Sequence, residues 1–294
     1  MFKLAHFSDP HIGPLPRPRL SELLSKRITG YLNYKRNRSH ALTGDVLGTL
    51  LSDLKAQQPD HIALTGDIVN IALDAEIIAA RQWLDSIAKP VDLTLIPGNH
   101  DAYVPGALER AKREWAPFWL ADDAKGEVTF PYLRRRGPLA IVALSTGIAT
   151  APFMATGTLG QQQIKAATTL LQNLADQDCY RVVMIHHPPF VEKGRYFKRL
   201  TDHHAFSQMI EKTGAELILH GHTHRRNVTF LKGPEGSVPV VGVPSASSGL
   251  DGKHEPSRYN LFTIKRQNNG WHCLHVERGI TAKGTFEELS QNVL

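Results

Sequence analysis

The sequence predicts an α/β protein, because short apolar runs alternate with stretches of helical periodicity. Six apolar runs have the length and composition of buried strands. They lie at residues 2–8, 61–65, 92–96, 139–144, 181–185 and 216–219. Three stretches between them repeat apolar residues at the spacing of an amphipathic helix. They are residues 46–57, 75–88 and 160–175. This alternation favours a largely parallel sheet.

The pattern changes after residue 227, where only strand-like runs follow. They lie at residues 228–231, 238–243, 259–265 and 271–276. We expect these runs to form a meander that completes a second sheet, and we expect the last dozen residues to be loosely held. No Pro, Gly or Ser linker is long enough to separate two domains, so we expect one domain over residues 1–294.

Composition excludes several classes of protein. The 294 residues are 41% hydrophobic and 21% charged, which rules out disordered and collagen-like chains. No apolar run approaches the roughly 20 residues of a membrane helix, and the start has no apolar core of a secretory signal. Cys179 and Cys273 lie far apart and form no CxxC pair, so a disulfide framework is not expected. These features favour a reducing, cytoplasmic location.

The net charge of +6 is local, because residues 17–38 contain seven basic residues and one acid. The rest of the chain is neutral, so no long nucleic acid is expected as a partner. In the same segment apolar residues recur at helical spacing, which defines a basic amphipathic insertion at about residues 14–40. Three interpretations stay open: a helix packed on the domain, a cap beside the active site, or a peripheral contact with an anionic membrane at its inner face.

Five of the predicted strands end in polar clusters. In order, the clusters are Ser8-Asp9-Pro10-His11, Gly66-Asp67, Gly98-Asn99-His100-Asp101, His186-His187-Pro188 and Gly221-His222-Thr223-His224. Ligands of α/β sheets bind outside the carboxyl ends of the strands. We therefore expect these distant clusters to meet in one crevice.

The residue types at these strand ends suit transition metals such as Mn, Fe or Zn, divalent or trivalent. Seven residues are candidate ligands: Asp9, His11, Asp67, Asn99, His186, His222 and His224. If Asp67 is shared, each of two metal ions has four protein ligands. The sequence Ala-Leu-Thr-Gly-Asp also occurs at residues 41–45, but it leads into a helical pattern. Asp45 is therefore expected in the first turn of a helix, where its carboxylate favours the helix dipole.

The blocks DxH, GD, GNHD, HH and GHTH, in this order over residues 9–224, resemble the calcineurin-like metallophosphoesterase family. The resemblance implies a four-layer αββα sandwich of two mixed β-sheets flanked by helices. It assigns one metal ion to a first set of ligands, Asp9, His11, Asp67 and His224. It assigns the second ion to Asp67, Asn99, His186 and His222.

The same resemblance implies which residues act on the substrate. His100 is expected outside the metal ligands, in contact with the phosphate, with Asp101 orienting it; these two are the catalytic candidates. Asn99 and His100 are expected to bind substrate. His187 follows a ligand and is either supporting or substrate-facing, and Arg195 lies in a basic loop that is either solvated or in contact with substrate phosphate.

The family's protein phosphatases continue the second block with an arginine that binds phosphate, whereas here Asp67 is followed by Ile-Val-Asn-Ile-Ala. The run at 186–190, His-His-Pro-Pro-Phe, is similar to bacterial class III cyclic-nucleotide phosphodiesterases and their glycerophosphodiester-cleaving relatives. The resemblance therefore favours a phosphodiesterase for a cyclic nucleotide or small diester, acting by in-line attack of a metal-bridging hydroxide. A pyrophosphatase of a nucleotide-linked lipid, of the UDP-diacylglucosamine type, is the alternative. A nuclease, a non-enzymatic scaffold and a homodimer also stay open.

Overall fold

The structure is a computed structural model that describes residues 1–38, 44–250, 254–268 and 270–294. Twelve strands are present in the described residues. They are β1 (Phe2–Phe7), β2 (His61–Leu64), β3 (Leu93–Leu95), β4 (Tyr132–Arg136), β5 (Leu139–Ala143), β6 (Tyr180–Met184), β7 (Leu217–His220), β8 (Asn227–Lys232), β9 (Ser237–Gly242), β10 (Arg258–Gln267), β11 (Gly270–Ile280) and β12 (Phe286–Val293). The α-helices are α1 (Arg27–Asn33), α2 (Gly44–Ala56), α3 (Asp74–Ile87), α4 (Ala107–Trp119), α5 (Gln161–Ala175) and α6 (His203–Thr213).

The strands form two six-stranded mixed sheets. The first has the order β12-β11-β10-β1-β2-β3, in which β1, β2 and β3 are parallel and the later strands antiparallel. The second has the order β4-β5-β6-β7-β9-β8, with a parallel centre and an antiparallel strand at each edge. The predicted α/β class with two mixed sheets flanked by helices is confirmed.

The two sheets share a core, as β5 illustrates. Leu139 and Ile141 point into the large cluster that also contains Leu4 and Phe7 of the first sheet. Their neighbours Ala140 and Val142 point the other way, into a second cluster beneath α5 and α6. This alternation follows from the two-residue period of a strand, and it buries both faces of β5. A sheet buried on both sides has continuous apolar strands, which is the pattern seen in the sequence.

The carboxyl-terminal strands differ from the prediction. Instead of one meander in a second sheet, β8 and β9 join the second sheet and β10, β11 and β12 join the first. The last dozen residues are not loosely held, because β12 pairs with β11 along most of its length. Strand β10 pairs with β1, where Leu4 lies opposite Phe262 and both side chains are buried.

The basic amphipathic insertion folds as a short 3₁₀ turn, Leu20–Leu23, followed by α1 and one π turn. Buried Arg27 fastens it to the protein by donating to the carbonyls of Ile71 (3.0 Å) and Ala72 (2.5 Å). The second Ala-Leu-Thr-Gly-Asp copy begins in β2 and ends at Asp67 beyond it, whereas Asp45 lies in the first turn of α2, as predicted. Among the described helices, none combines the length and apolarity that a bilayer-spanning segment requires.

Candidate active site

All five polar clusters meet at one end of the two sheets. Asp9 and His11 follow β1, Asp67 follows β2 and Asn99 follows β3. His186 follows β6 of the second sheet, and His222 and His224 follow β7. The crevice between the carboxyl ends of the strands therefore contains all seven candidate ligands, as the sequence predicts.

The first group of donors comprises Asp9, His11 and His224, whose ligand atoms lie within 4.8 Å of one another. Nε2 of His224 lies 3.1 Å from Oδ1 of Asp9 and 3.3 Å from Nε2 of His11. Nε2 of His11 is also 4.0 Å from Oδ2 of Asp67. Two imidazoles and two carboxylates thus face a common point.

The second group shares Asp67 with the first. Oδ2 of Asp67 lies 3.3 Å from Nε2 of His186, and that nitrogen lies 3.3 Å from Oδ1 of Asn99. His222 completes the cluster, with its ligand atom within 4.8 Å of those of Asp67 and His186. One carboxylate therefore stands between two donor groups, which is the arrangement expected for a bridging ligand.

The backbone holds these ligands in left-handed conformations. Eight non-glycine residues in the described chain have positive φ, and five of them are predicted ligands: Asp9 (54°), His11 (41°), Asp67 (56°), His222 (68°) and His224 (53°). Such values are uncommon for residues with a side chain and concentrate at functional sites. Because the conformation is unfavourable locally, the surrounding fold must impose it.

Two glycines allow the strand ends to approach one another. A Cβ at Gly98 would overlap the carboxylate and the backbone nitrogen of Asp67. A Cβ at Gly221 would overlap the side chains of Ser8 and Asp9. The glycines in the GNHD and GHTH blocks are therefore needed for close packing around the two carboxylates.

The histidines are oriented by backbone carbonyls. Nδ1 of His11 donates to the carbonyl of Val69 (3.2 Å), and Nδ1 of His186 donates to that of Thr65 (2.6 Å). Nε2 of His222 donates to the carbonyl of Lys198 (2.8 Å). Metal-binding histidines commonly use one nitrogen in this way, since the bond fixes the tautomer and leaves the other nitrogen for the metal.

The charge of the site attracts a cation. Burial alone would raise the pKa of Asp67, but the neighbouring imidazoles, His186 foremost, hold that pKa well below its ordinary range. Burial likewise disfavours a charged His186, yet the carboxylates of Asp67 and Asp9 raise the pKa of His186 to about 9. Buried carboxylates that stabilise a protonated imidazole would likewise stabilise the positive charge of a metal ion bound beside them.

His100 lies beside the two donor groups, and its ring meets that of His11 edge-on at 4.7 Å. Its Nδ1 donates to the carbonyl of Asn70 (2.5 Å). The prediction that Asp101 orients His100 is corrected, because the buried Asp101 carboxylate accepts four backbone N–H groups instead. The donors are Asp67 (2.8 Å), Ile68 (2.9 Å), Val69 (3.2 Å) and Gly98 (2.8 Å). Asp101 therefore shapes the loop that presents Asp67.

Two further residues, His187 and Arg195, were predicted to contact the substrate. His187 is fully buried; its Nδ1 bonds with Oγ1 of Thr146 (2.7 Å) and its Nε2 with the carbonyl of Ala155 (3.2 Å). Burial, reinforced by the charge of His186, lowers the pKa of His187 to about 3. Arg195 is paired with Glu192 at 2.8 Å. The prediction that His187 binds substrate directly is corrected, because both of its ring nitrogens have partners within the protein. Arg195 lines a small cavity with Lys198 and His222, and its contact with substrate stays a prediction.

A cavity of about 290 Å³ opens beside the donor groups. It is lined by Lys26, Thr29, Gly30, Asn33, Tyr34, Asn70, Asn99, His100, Tyr103, Phe153, Met154, Ala155 and Lys198. Asn99 and His100 were predicted as substrate contacts. Lys198 and the residues of α1 were not, although Lys198 lies in the basic loop of Arg195 and α1 in the basic amphipathic insertion. The interpretation of that insertion as a cap beside the site agrees with this lining.

The fold and this donor set together define a candidate metal centre. Residues 2–226 match the family model described as calcineurin-like phosphoesterase. The chain therefore belongs to the calcineurin-like phosphoesterase family, and the prediction of a metal-dependent phosphoric ester hydrolase is confirmed at the level of the family.

Among curated proteins, the chain is 34% identical over 98 residues to the glycerophosphodiester phosphodiesterase GpdQ of Enterobacter lignolyticus (strain SCF1). The match covers 33% of this chain and 29% of that protein. It relates part of the chain to a phosphodiesterase, and the remainder of both proteins lies outside the match.

Two solved structures share the fold. A dimetal phosphatase from Danio rerio has a TM-score of 0.65 at 12% identity, covering 99% of this chain and 98% of that one. The purple acid phosphatase PPD1 from yellow lupin (Lupinus luteus) seeds has a TM-score of 0.64 at 10% identity, covering 99% and 53%. At such low identity these likenesses establish the architecture alone.

Proposed function

We propose that the chain is a phosphodiesterase that hydrolyses a small phosphodiester at a two-metal centre. The position of Asp67 is the observation on which the proposal rests, because its carboxylate lies within 4.0 Å of donors from both groups. Asp9, His11, Asp67 and His224 would hold one ion, and Asp67, Asn99, His186 and His222 the other. When bound, two ions supply an activated water and neutralise charge on the phosphate.

The protein's own contribution centres on His100. Since its Nδ1 proton is donated to Asn70, Nε2 is the atom at which a second proton is gained or given. As an imidazolium, His100 donates to a phosphoryl oxygen or to the departing alkoxide; as a neutral ring it accepts. A histidine lining the cavity is suited to this role because its ordinary pKa lies near neutrality.

The cavity favours a small anionic substrate. Its volume of about 290 Å³ is at the low end for small-molecule pockets. Lys26 and Lys198, which belong to different segments of the chain, both line the cavity and supply positive charge. The ring of Tyr103 lies between Lys26, at 4.7 Å, and His100, on which it stacks at 5.4 Å. The wall formed by Lys26, Tyr103 and His100 is suited to bind the non-reacting group of a small diester, and it is less suited to a flat macromolecular surface.

The partial likeness to a glycerophosphodiester phosphodiesterase supports diester cleavage, and the absence of the phosphate-binding arginine after Asp67 argues against a protein phosphatase. A nucleotide-linked lipid is the second candidate substrate. It is favoured by one observation: α1 lines the cavity with one face and exposes apolar side chains on another.

A comparison of Mn²⁺-loaded wild type with Asp67→Ala tests the proposal. Hydrolysis of an aryl phosphodiester and of the matching monoester would be measured for each protein. We expect the diester to be preferred and the variant to fall to background, because it loses a ligand from both groups. Monoester preference, or full activity in Asp67→Ala, would contradict the diester reaction or the bridging assignment, respectively.

A further inference from the structure

Three segments surround the mouth of the cavity, and we call them the mouth segments: residues 17–36, 150–155 and 191–199. Each contributes lining residues, among them Lys26, Met154 and Lys198. Hydrogen bonds connect them in order. Nζ of Lys26 donates to Oγ1 of Thr150 (2.6 Å) and to the carbonyl of Met154 (2.7 Å), and the amide of Ala155 donates to the carbonyl of Phe197 (2.9 Å). The mouth segments are therefore one continuous rim.

Exposed apolar side chains concentrate on this rim. Within the described part of the chain, fifteen large apolar residues are exposed, and eight of them belong to the mouth segments. They are Leu20, Leu24, Ile28, Leu32, Phe153, Val191, Tyr196 and Phe197. Leu24 is 88% exposed, Phe153 86% and Leu20 85%. Single exposed apolar residues are ordinary on protein surfaces, but a cluster around a site marks an interaction surface.

Helix α1 exposes apolar side chains on its solvent-facing side. Its residues fall on three faces at the helical repeat. Gly30 and Asn33 face the cavity, Arg27 is buried against the protein, and Ile28 and Leu32 are about half exposed on the remaining face. The solvent-facing side of a surface helix normally has polar residues. Here that side is apolar.

Basic residues surround the same rim. The mouth segments contain ten lysines and arginines against two acids, Glu22 and Glu192. Six of the basic residues are exposed: Arg17, Arg19, Lys35, Arg36, Lys193 and Lys198. Glu192 is already paired with Arg195. Apolar side chains interleaved with cations complement an anionic lipid surface, since the former enter the interface and the latter meet the headgroups.

We propose that the mouth segments dock on an anionic lipid bilayer, so that the cavity opens towards the headgroups. The inference deepens the proposed function, because a lipid phosphodiester or pyrophosphate would then enter the site from the membrane. A bilayer fits better than a protein partner because the eight apolar side chains are distributed around an opening and separated by cations.

Vesicle binding of the full chain tests this inference. The vesicles would contain phosphatidylcholine alone or mixed with phosphatidylglycerol. The test variant is Leu20→Ser/Leu24→Ser/Phe197→Ser, and the matched control, Ile78→Ser/Phe230→Ser/Leu289→Ser, removes exposed apolar residues away from the rim. We expect wild type and control to bind anionic vesicles equally and the test variant to bind roughly tenfold or more weakly. Added salt should weaken wild-type binding.

A second variant, Arg19→Glu/Arg36→Glu, keeps the apolar residues and should abolish the preference for anionic vesicles. Hydrolysis of a soluble diester would be followed in parallel, and it should be equal in wild type, test variant and control, which shows that all are folded.

Absence of wild-type binding, or equal loss in the control, would overturn docking. A wild-type dimer that the test variant converts to monomer would assign the rim to a second copy instead. Vesicle binding by a chain that hydrolyses no diester would refute the proposed function and leave docking intact.

Discussion

His100 differs from His11 and His186 in exposure and in position. It lies at the cavity wall, whereas His11 and His186 are buried between the strand ends. Its backbone amide donates to Oδ1 of Asp67 (2.7 Å), so its position is tied to the shared carboxylate. The ligand atoms of His100, His11 and Asp67 lie within 4.8 Å of one another, so the proposed action of His100 on the substrate has to be separated from metal binding by experiment.

Replacement of His100 by alanine should separate these two roles. We expect kcat to fall about 10²- to 10⁴-fold, the usual contribution of a general acid or base, with metal content unchanged. Turnover of a diester and metal analysis of the same preparation would measure both. Loss of one metal ion from His100→Ala would make the residue a ligand and contradict the assignment.

At the scale of single residues, the sequence predicts that the seven candidate ligands converge, because each follows a recognisable apolar strand. It does not predict the partners of Asp101, since its four donors come from the loops after β2 and β3, whose approach depends on tertiary packing. The burial of His187 is equally impossible to predict from the sequence. A histidine next to a ligand has the same sequence context whether its side chain points into the protein or towards solvent.

Among the elements, α1 depends on close contact with the catalytic loops. A Cβ at Gly30 would overlap the hydroxyl of Tyr103 and approach Cγ2 of Ile71 to 2.7 Å. Arg27 binds the carbonyls of the loop that contains Ile71. The helix is therefore fixed against the cavity, and its position depends on having no side chain at residue 30.

Gly30→Ala should move α1 away from Tyr103 and raise KM for a diester that fills the cavity, by about tenfold or more, since small displacements are costly in a preorganised site. Gly48→Ala is the control, because residue 48 lies in α2 with open space around it. It should leave KM unchanged and stabilise the fold by up to about 1 kcal/mol. Steady-state kinetics and thermal melts would measure both variants. An unchanged KM in Gly30→Ala would mean that α1 does not position substrate.

The sequence locates most elements but not their partners. Alternation of strands and helices predicts β1 to β3 and β5 to β7, because each is a largely buried and mostly apolar run. The division of the last five strands between two sheets depends on pairing over more than 200 residues, which local pattern does not encode. Strand β12 was missed because only Phe286 of its eight residues is buried, so neither face gives an apolar pattern.

Across the whole molecule, buried neutral histidines support the sheets. Nε2 of His61 lies 2.8 Å from Oγ1 of Thr94, and burial, aided by nearby arginines, lowers the pKa of His61 to about 3. His275 bonds with Oδ1 of Asn260 at 2.9 Å, and burial lowers its pKa to about 4. In the unfolded chain both histidines would protonate near pH 6.5.

Because both folded-state pKa values lie below the unfolded value, their contribution to stability is complete above pH 6.5 and is lost as the pH falls towards 4. Each histidine should lower the free energy of unfolding by about 1.4 kcal/mol per pH unit in this range. Urea unfolding at several pH values would show the slope. His61→Gln should reduce the slope by about that amount, whereas His254→Gln, at an exposed position, should not. An unaltered slope in His61→Gln would contradict the assignment.

The position of β1 in the first sheet has a consequence for biosynthesis. One of the two neighbours of this strand, β10, begins at residue 258, about 250 residues later in the chain. Asp9 and His11 follow β1 directly, while His224 is more than 200 residues away. On the ribosome, the nascent amino-terminal strand must therefore remain with an unpaired edge through most of translation, a state prone to aggregation. A complete set of donors therefore requires synthesis of the chain at least as far as His224.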